Sequence, residues 1–380
     1  MKRVLICGFY GNYNLSDEAM LVGMINLLRS QTNQLSITVF SNDPQETKIR
    51  FGINAIEWQN PKPNVRVKRL FEFIDNRYFI LGGGDLLRDT VKTSVAKTWL
   101  APLQQAIRFR HQTMILGISV GEFFRPETKI LIPQILNQVN LIAVRDTKSK
   151  LKLQELGVNK TIHVMSDLAL SALPERGFSS QSVTDKKINV GISVCYLRER
   201  NPSIDVNLYP TFQKEMAAIA DFLVEKYNAN IHFLPFRTYK DKYHATDDDY
   251  VSSLELLRYS RYANKFIIHR YFPSLQDFHI LTSQLDLTIG MRLHSLILTA
   301  GLGVPIIAAE YDVKVAGFME EIGQTERSIS LGNFKKERII PMIETILANP
   351  LKARHDILAG IDTYREKTTK VEKKLKQIFR

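Results

Sequence analysis

The chain has 380 residues, 44% hydrophobic and 24% charged, a composition that excludes a disordered or fibrous protein and a length that suits two ordinary domains better than one. Its two cysteines, Cys7 and Cys195, cannot build a disulfide framework or a cysteine metal cluster. A formal charge of +12 calls for an anionic partner, and because aromatics do not alternate with the basic residues, a phosphorylated small molecule or an acidic membrane surface fits better than a single-stranded nucleic acid.

The opening stretch, MKRVLICGFYGN, reads as a first strand and not as a secretory signal. It enters a loop with Gly8 and Gly11, then a helix to about Ser30 that Ser16 or Asp17 is placed to cap. The two glycines are three apart with no third, so the dinucleotide fingerprint is absent. Residues 35–40 and 78–81 are further strands, and the second runs into Gly82-Gly83-Gly84-Asp85, where missing side chains let a ligand approach the backbone. Residues 62–69 are densely basic. Strands follow at 114–120 and 141–144, the latter leading to Arg145, to Asp146 as a helix cap and to Gly157 as the residue that ends that helix. A strand at 163–167 closes this half.

Residues 172–187, polar and without periodicity, form the expected linker. Strand-loop-helix alternation restarts at Ile188, so the expected divisions are 1–171, the linker 172–187, a second α/β domain over 188–350 and a helical tail over 351–380. In the second half a helix over 209–227 precedes a strand at 231–236 that carries a structural His232 and ends at Arg237. Asp247, Asp248 and Asp249 are read as helix-start charge and not as metal ligands. The tail is helical from Pro341, and its basic end, residues 365–380, is expected to pack back across both domains.

Residues 284–314, QLDLTIGMRLHSLILTAGLGVPIIAAEYDVK, form a β-α-β unit. A right-handed crossover puts the loop after its first strand at the carboxyl edge of the sheet, where open α/β proteins bind ligands. Arg292 and His294 occupy that loop. A helix start favours an anion, and a guanidinium adds a planar fork suited to carboxylate or phosphate. Arg145 repeats the arrangement.

Asp17-Glu18-Ala19, Leu81-Gly82-Gly83-Gly84-Asp85, Gly117-Ile118-Ser119-Val120-Gly121, Arg145-Asp146 with Ser149, Gly290-Met291-Arg292-Leu293-His294-Ser295, Gly303-Val304-Pro305 and Tyr311-Asp312 with Lys314 occur in one order along the chain. In this set the chain resembles the polysaccharide pyruvyl transferase family. The resemblance implies an α/β, GT-B-like architecture of two Rossmann-type domains facing a central cleft. It implies transfer of pyruvate from phosphoenolpyruvate onto a sugar of a cell-surface glycan precursor, with ketal formation and release of phosphate. Phosphoenolpyruvate would be held by Arg145, Arg292, Leu293 and His294, with Arg292 and His294 catalytic. Asp17, Glu18, Gly83, Gly84 and Asp85 would contact the acceptor, and Arg237, Glu310 and Lys314 would lie elsewhere in the cleft. No cofactor, metal or nucleic acid is expected. The expected partners are phosphoenolpyruvate, a sugar or lipid-linked acceptor and an anionic membrane met peripherally, at a cytoplasmic location. A sugar-nucleotide glycosyltransferase, or a non-catalytic glycan- or nucleotide-binding protein on the same fold, remains the alternative, and the oligomeric state is open.

Overall fold

A computed structural model describes residues 1–90, 92–174, 187–197, 207–239 and 248–380. The chain forms two compact units, Met1–Ala172 with Arg365–Arg380, and Leu173–Tyr364. Most of the expected linker, residues 175–186, lies outside the described residues, as does Asp247.

The first unit holds β1 (Lys2–Tyr10), β2 (Leu35–Ser41), β3 (Asn54–Glu57), β4 (Tyr78–Leu87), β5 (Gln112–Val120), β6 (Leu141–Val144) and β7 (Ile162–Val164) in one sheet ordered β3-β2-β1-β4-β5-β6-β7. The second holds β8 (Asn189–Ser193), β9 (Asn230–Phe233), β10 (Phe266–Ile268), β11 (Leu287–Gly290), β12 (Ile306–Glu310) and β13 (Ser328–Ser330), ordered β10-β9-β8-β11-β12-β13. Every pairing in both sheets is parallel. Numbered within its own unit, each sheet has the 3-2-1-4-5-6 order of a Rossmann fold, and the first adds a seventh strand. Helices cover both faces of such a sheet, so its central strands are apolar along their whole length. Val4, Leu5, Ile6 and Cys7 of β1 and Phe79, Ile80 and Leu81 of β4 are all fully buried.

Three expectations are corrected here. The glycines of Gly82-Gly83-Gly84, read as a loop, lie inside β4, where Gly82 pairs with Leu116 and Gly84 with Ile118 before the register shifts ahead of Leu87. Left-handed backbone at Gly83 (φ 75°) and Gly84 (φ 96°) bends the strand without ending it. The first helix, Leu15–Arg29, is capped by Asn14, whose side chain accepts the Ser16 N–H at 3.1 Å, which leaves the Asp17 carboxylate for other work. Pro341 lies within the helix Lys336–Ala348 instead of starting the tail.

The C-terminal residues fold as two further helices, Pro350–Glu366 and Thr369–Ile378. The first belongs to the second unit as far as Tyr364, and the last packs on the first unit. There the Phe379 ring sits 4.9 Å from that of Tyr78, and Thr368 Oγ1 accepts the Ser166 N–H at 3.1 Å.

Candidate functional site

In the second unit the strand order reverses between β8 and β11, and the carboxyl ends of these two strands define the switch point where doubly wound sheets bind ligands. Ser193, the last residue of β8, is in register with Gly290, the last of β11. Its hydroxyl is buried and has no hydrogen-bond partner among the described residues. Directly after Gly290 the chain gives Met291 and Arg292 and begins the helix Leu293–Gly301.

No side chain caps this helix; Arg292 holds the N-cap position with its guanidinium turned elsewhere, and Ser295 Oγ donates to the Arg292 carbonyl at 2.6 Å. The first N–H groups of a helix have no acceptor within it, so this turn offers donors and the positive dipole end at the switch point. His294 sits in the same turn, buried.

The Arg292 guanidinium is buried and locked by Asp249. Its Nε donates to Asp249 Oδ2 at 2.9 Å and Oδ1 at 3.1 Å, and Nη2 donates to Oδ1. The carboxylate also accepts the backbone N–H groups of Phe236 and Arg237, each at 3.0 Å. One buried acid thus holds the turn after β9 against the arginine after β11, and the pair leaves Nη1 of the guanidinium outside it. Burial alone would lower the arginine's pKa, but the Asp249 charge outweighs it, so the group is held above its ordinary value.

Asp249 is the main residue that sequence reasoning missed. Asp248 does cap the helix Asp249–Leu257, accepting from the Tyr250 N–H at 3.0 Å, as the helix-start reading implies. Asp249, one position later, turns inward to a partner 43 residues away. Its only local signal was an acid too many for one cap.

Beyond β12 the second unit adds Tyr311, buried, and Lys314, whose Nζ lies 5.9 Å from the Tyr311 ring centre and 3.4 Å from Asp312 Oδ2. Burial raises the Tyr311 pKa, and the neighbouring positive charges of Lys314 and Arg292 oppose that rise. Arg292, His294, Tyr311 and Lys314 therefore belong to one edge of one sheet. Glu310, half-buried, ends β12 there, and Arg237, half-buried, shares Asp249 with Arg292 through its backbone.

In the first unit the equivalent switch point, between β1 and β4, is built mostly of backbone. Tyr10 Oη donates to the Gly82 carbonyl. A methyl group added at Gly83 would sit 3.0 Å from Tyr10 Oη, and one at Gly84 3.4 Å from Asp17 Oδ1. The Asp17 carboxylate therefore lies against the Gly84 backbone. Its charge, after burial, helps push the Tyr10 pKa up.

Glu18, the next residue on the helix, turns about 100° away and pairs with Arg50 Nη1 at 2.7 Å, in a small recess with Tyr13, Asp43 and Glu46. Burial raises the Glu18 pKa against the pull of Arg50. Asp85 pairs with Arg88 Nε at 3.3 Å, and its Oδ1 would lie 3.5 Å from a methyl group added at Gly121. The acceptor candidates thus form three neighbourhoods: Asp17 with Gly83 and Gly84, Asp85 with Arg88 and Gly121, and Glu18 with Arg50. Arg145, two strands further along at the end of β6, is buried with Nη1 3.1 Å from Asp167 Oδ2. It lies in the first unit, whereas Arg292, Leu293 and His294 lie in the second.

Comparison with known proteins agrees with this architecture. The chain is 23% identical over 407 residues to the amylovoran biosynthesis protein AmsJ of Erwinia amylovora, covering 96% of each chain. Among solved structures it resembles the UDP-GlcNAc 2-epimerase of Neisseria meningitidis, with a TM-score of 0.57 at 12% identity over 100% of both chains. It also resembles MurG of Acinetobacter baumannii, with a TM-score of 0.52 at 14% identity over 99% of this chain and 100% of the other. These likenesses establish a GT-B-like fold of two Rossmann-like domains, as expected. A family model described as polysaccharide pyruvyl transferase matches residues 17–313, from the acids of the first helix to the residue after Asp312, and the chain belongs to that family.

Proposed function

We propose that this protein transfers pyruvate from phosphoenolpyruvate onto a sugar of a cell-surface polysaccharide or its precursor, forming a ketal and releasing phosphate. The observation that carries the reading is the buried, carboxylate-locked guanidinium of Arg292 beside His294 in an uncapped helix turn at the switch point of the second sheet. Family membership and the likeness to a protein named for polysaccharide biosynthesis support pyruvyl transfer in that setting.

Phosphoenolpyruvate brings a carboxylate and a phosphate, and a helix start with a fixed guanidinium suits either anion. The reaction needs a proton at the methylene carbon, which makes the adjacent carbon electrophilic. Two sugar hydroxyls then bond to that carbon, each losing its proton, and the carbon–oxygen bond to phosphate breaks. In this reading His294 moves a proton, while Arg292 and Lys314 stabilise the charge that develops on the departing phosphate. Asp249 is a positioning residue that keeps the guanidinium from swinging toward solvent. Asp17 and Asp85 beside the glycine bend accept bonds from acceptor hydroxyls, with Arg145 as a further anion contact and no cofactor involved.

The test is incubation with phosphoenolpyruvate and a panel of glycan precursors, free and lipid-linked. Phosphate release together with a pyruvate-sized mass gain on one acceptor is the expected result. Release of nucleotide from a sugar nucleotide, with no response to phosphoenolpyruvate, would overturn the proposal.

A further inference from the structure

The helix Pro63–Asp75 of the first unit has a face that its own fold leaves uncovered. Inward, Val65 and Phe73 are buried, and the Phe73 ring lies 5.8 Å from Phe40 and 5.9 Å from Phe79. Outward, Val67, Leu70, Phe71 and Ile74 are 51%, 43%, 60% and 59% exposed. Their spacing of three, four and seven residues makes one continuous apolar stripe. Single exposed apolar residues are ordinary, but four large ones on one stripe mark an interaction surface.

Charge borders the stripe. Arg66 precedes it on one side of the helix, Lys68 lies on the other, and Lys62 stands at the N-terminus, all three exposed. A second element adds to the same region: Arg108, Phe109 and Arg110 are exposed at the end of the helix Val95–Arg108, and the Phe109 ring is 6.0 Å from Phe73. The acids of the helix Pro63–Asp75 are already engaged, Asp75 with Arg3 at 3.6 Å and Glu72 with the Asn76 side chain at 3.0 Å.

We infer that this helix and the Arg108–Arg110 turn dock the protein onto an anionic lipid surface. A second copy would set the same cations against each other, whereas a bilayer offers acidic headgroups above an apolar interior, which matches an apolar stripe edged by arginine and lysine. The helix lies in the interface and does not cross it, and no described helix is long and apolar enough to span a membrane. It starts shortly after the carboxyl end of β3, at the sheet edge that also carries Asp85, so a lipid-carried acceptor would meet that edge from the membrane plane. The inference does not depend on which donor the second unit takes.

The test is flotation of the full chain with phosphatidylcholine vesicles, with and without a phosphatidylglycerol fraction of about one third. The wild type should float with the anionic vesicles, and added salt should weaken the binding. Arg66→Glu with Lys68→Glu should reduce partitioning by roughly tenfold or more, and Leu70→Ser with Phe71→Ser and Ile74→Ser by a similar factor. Because the substituted side chains are exposed, circular dichroism and thermal unfolding should match the wild type. Absence of flotation with anionic vesicles, or variants that partition like the wild type, would overturn the proposal. So would a concentration-dependent dimer that the triple variant abolishes while vesicle binding persists.

Discussion

The two units use one strand order to build two kinds of site. Strands β4 and β11 hold the same place in their sheets, each next to the first strand of its unit and each ending at the switch point. After Leu81 the first unit places three glycines, two with positive φ, and brings Tyr10 and Asp17 up to bare backbone. After Gly290 the second unit places Met291, Arg292, Leu293 and His294, all buried, with Asp249 reaching across from beyond β9. One edge removes side chains, and Tyr10, Met20 and Asp17 close onto the backbone this leaves bare. The other packs charge, with the Arg292 guanidinium fixed on the buried Asp249 carboxylate; under the proposed function this is the preorganisation that electrostatic catalysis requires. The fold supplies the place, and the residues at the fourth strand choose the chemistry.

The sharpest way to break this contrast is to remove the carboxylate. Asp249→Ala leaves a buried guanidinium without its counterion and should cost about 3–5 kcal/mol of stability, read from denaturant unfolding. Asp249→Ala combined with Arg292→Met should recover much of that loss while activity stays absent. Wild-type unfolding of the single variant would show that the pair does not anchor the site.

His294→Ala comes next. With the fold intact, kcat should fall on the order of a hundredfold or more, with a smaller change in donor binding. Near-normal turnover would return His294 to a structural role. Acid supplies a further test. Burial pushes His232 and His279 of the second unit down to about 4, with His269, at 3.4 Å, adding to the shift at His232. An unfolded histidine titrates near 6.5, so the unfolded chain takes up protons that the native chain refuses. Stability is therefore complete above about pH 6.5 and declines as the pH falls toward 4, by about 3 kcal/mol for each of these two histidines. A flat unfolding profile across that window would contradict this burial.

In the first unit, Gly84→Ala forces a side chain onto φ 96° and against Asp17, and should cost about 1–2 kcal/mol. Asp85→Ala should do least to the fold and raise the acceptor KM several-fold while the donor KM holds. Equal changes in both constants would remove Asp85 from the acceptor side.

Much of this contrast can be read from the chain because its parts are contiguous. Residues 284–314 carry a strand, the charged turn, a helix and the next strand without interruption, and the structure gives them as β11, Leu293–Gly301 and β12. The pair between Asp249 and Arg292 could not be read the same way, since an aspartate at a helix start looks the same whether it faces water or a guanidinium brought in from another strand. Ser193 was missed for the same reason, because its register opposite Gly290 is a property of the sheet and not of its neighbours. Apolar runs also pass over β3, β10 and β13, edge strands of three or four residues that are only partly covered. The glycines of β4 misled in the opposite direction, since glycine argues for a turn wherever pairing partners are not yet known.

The last helix has a consequence for how the protein comes into being. Residues 365–380 complete the first unit, where Val371, Leu375 and Phe379 are buried and Phe379 packs on Tyr78. Nascent chains generally fold from the N-terminal domain onward as they emerge, but here the N-terminal unit lacks a piece that is made only after the whole second unit. The unit synthesised first is therefore the one finished last. A stop codon near residue 364 would spare the whole second unit and damage the end of the protein made hundreds of codons earlier.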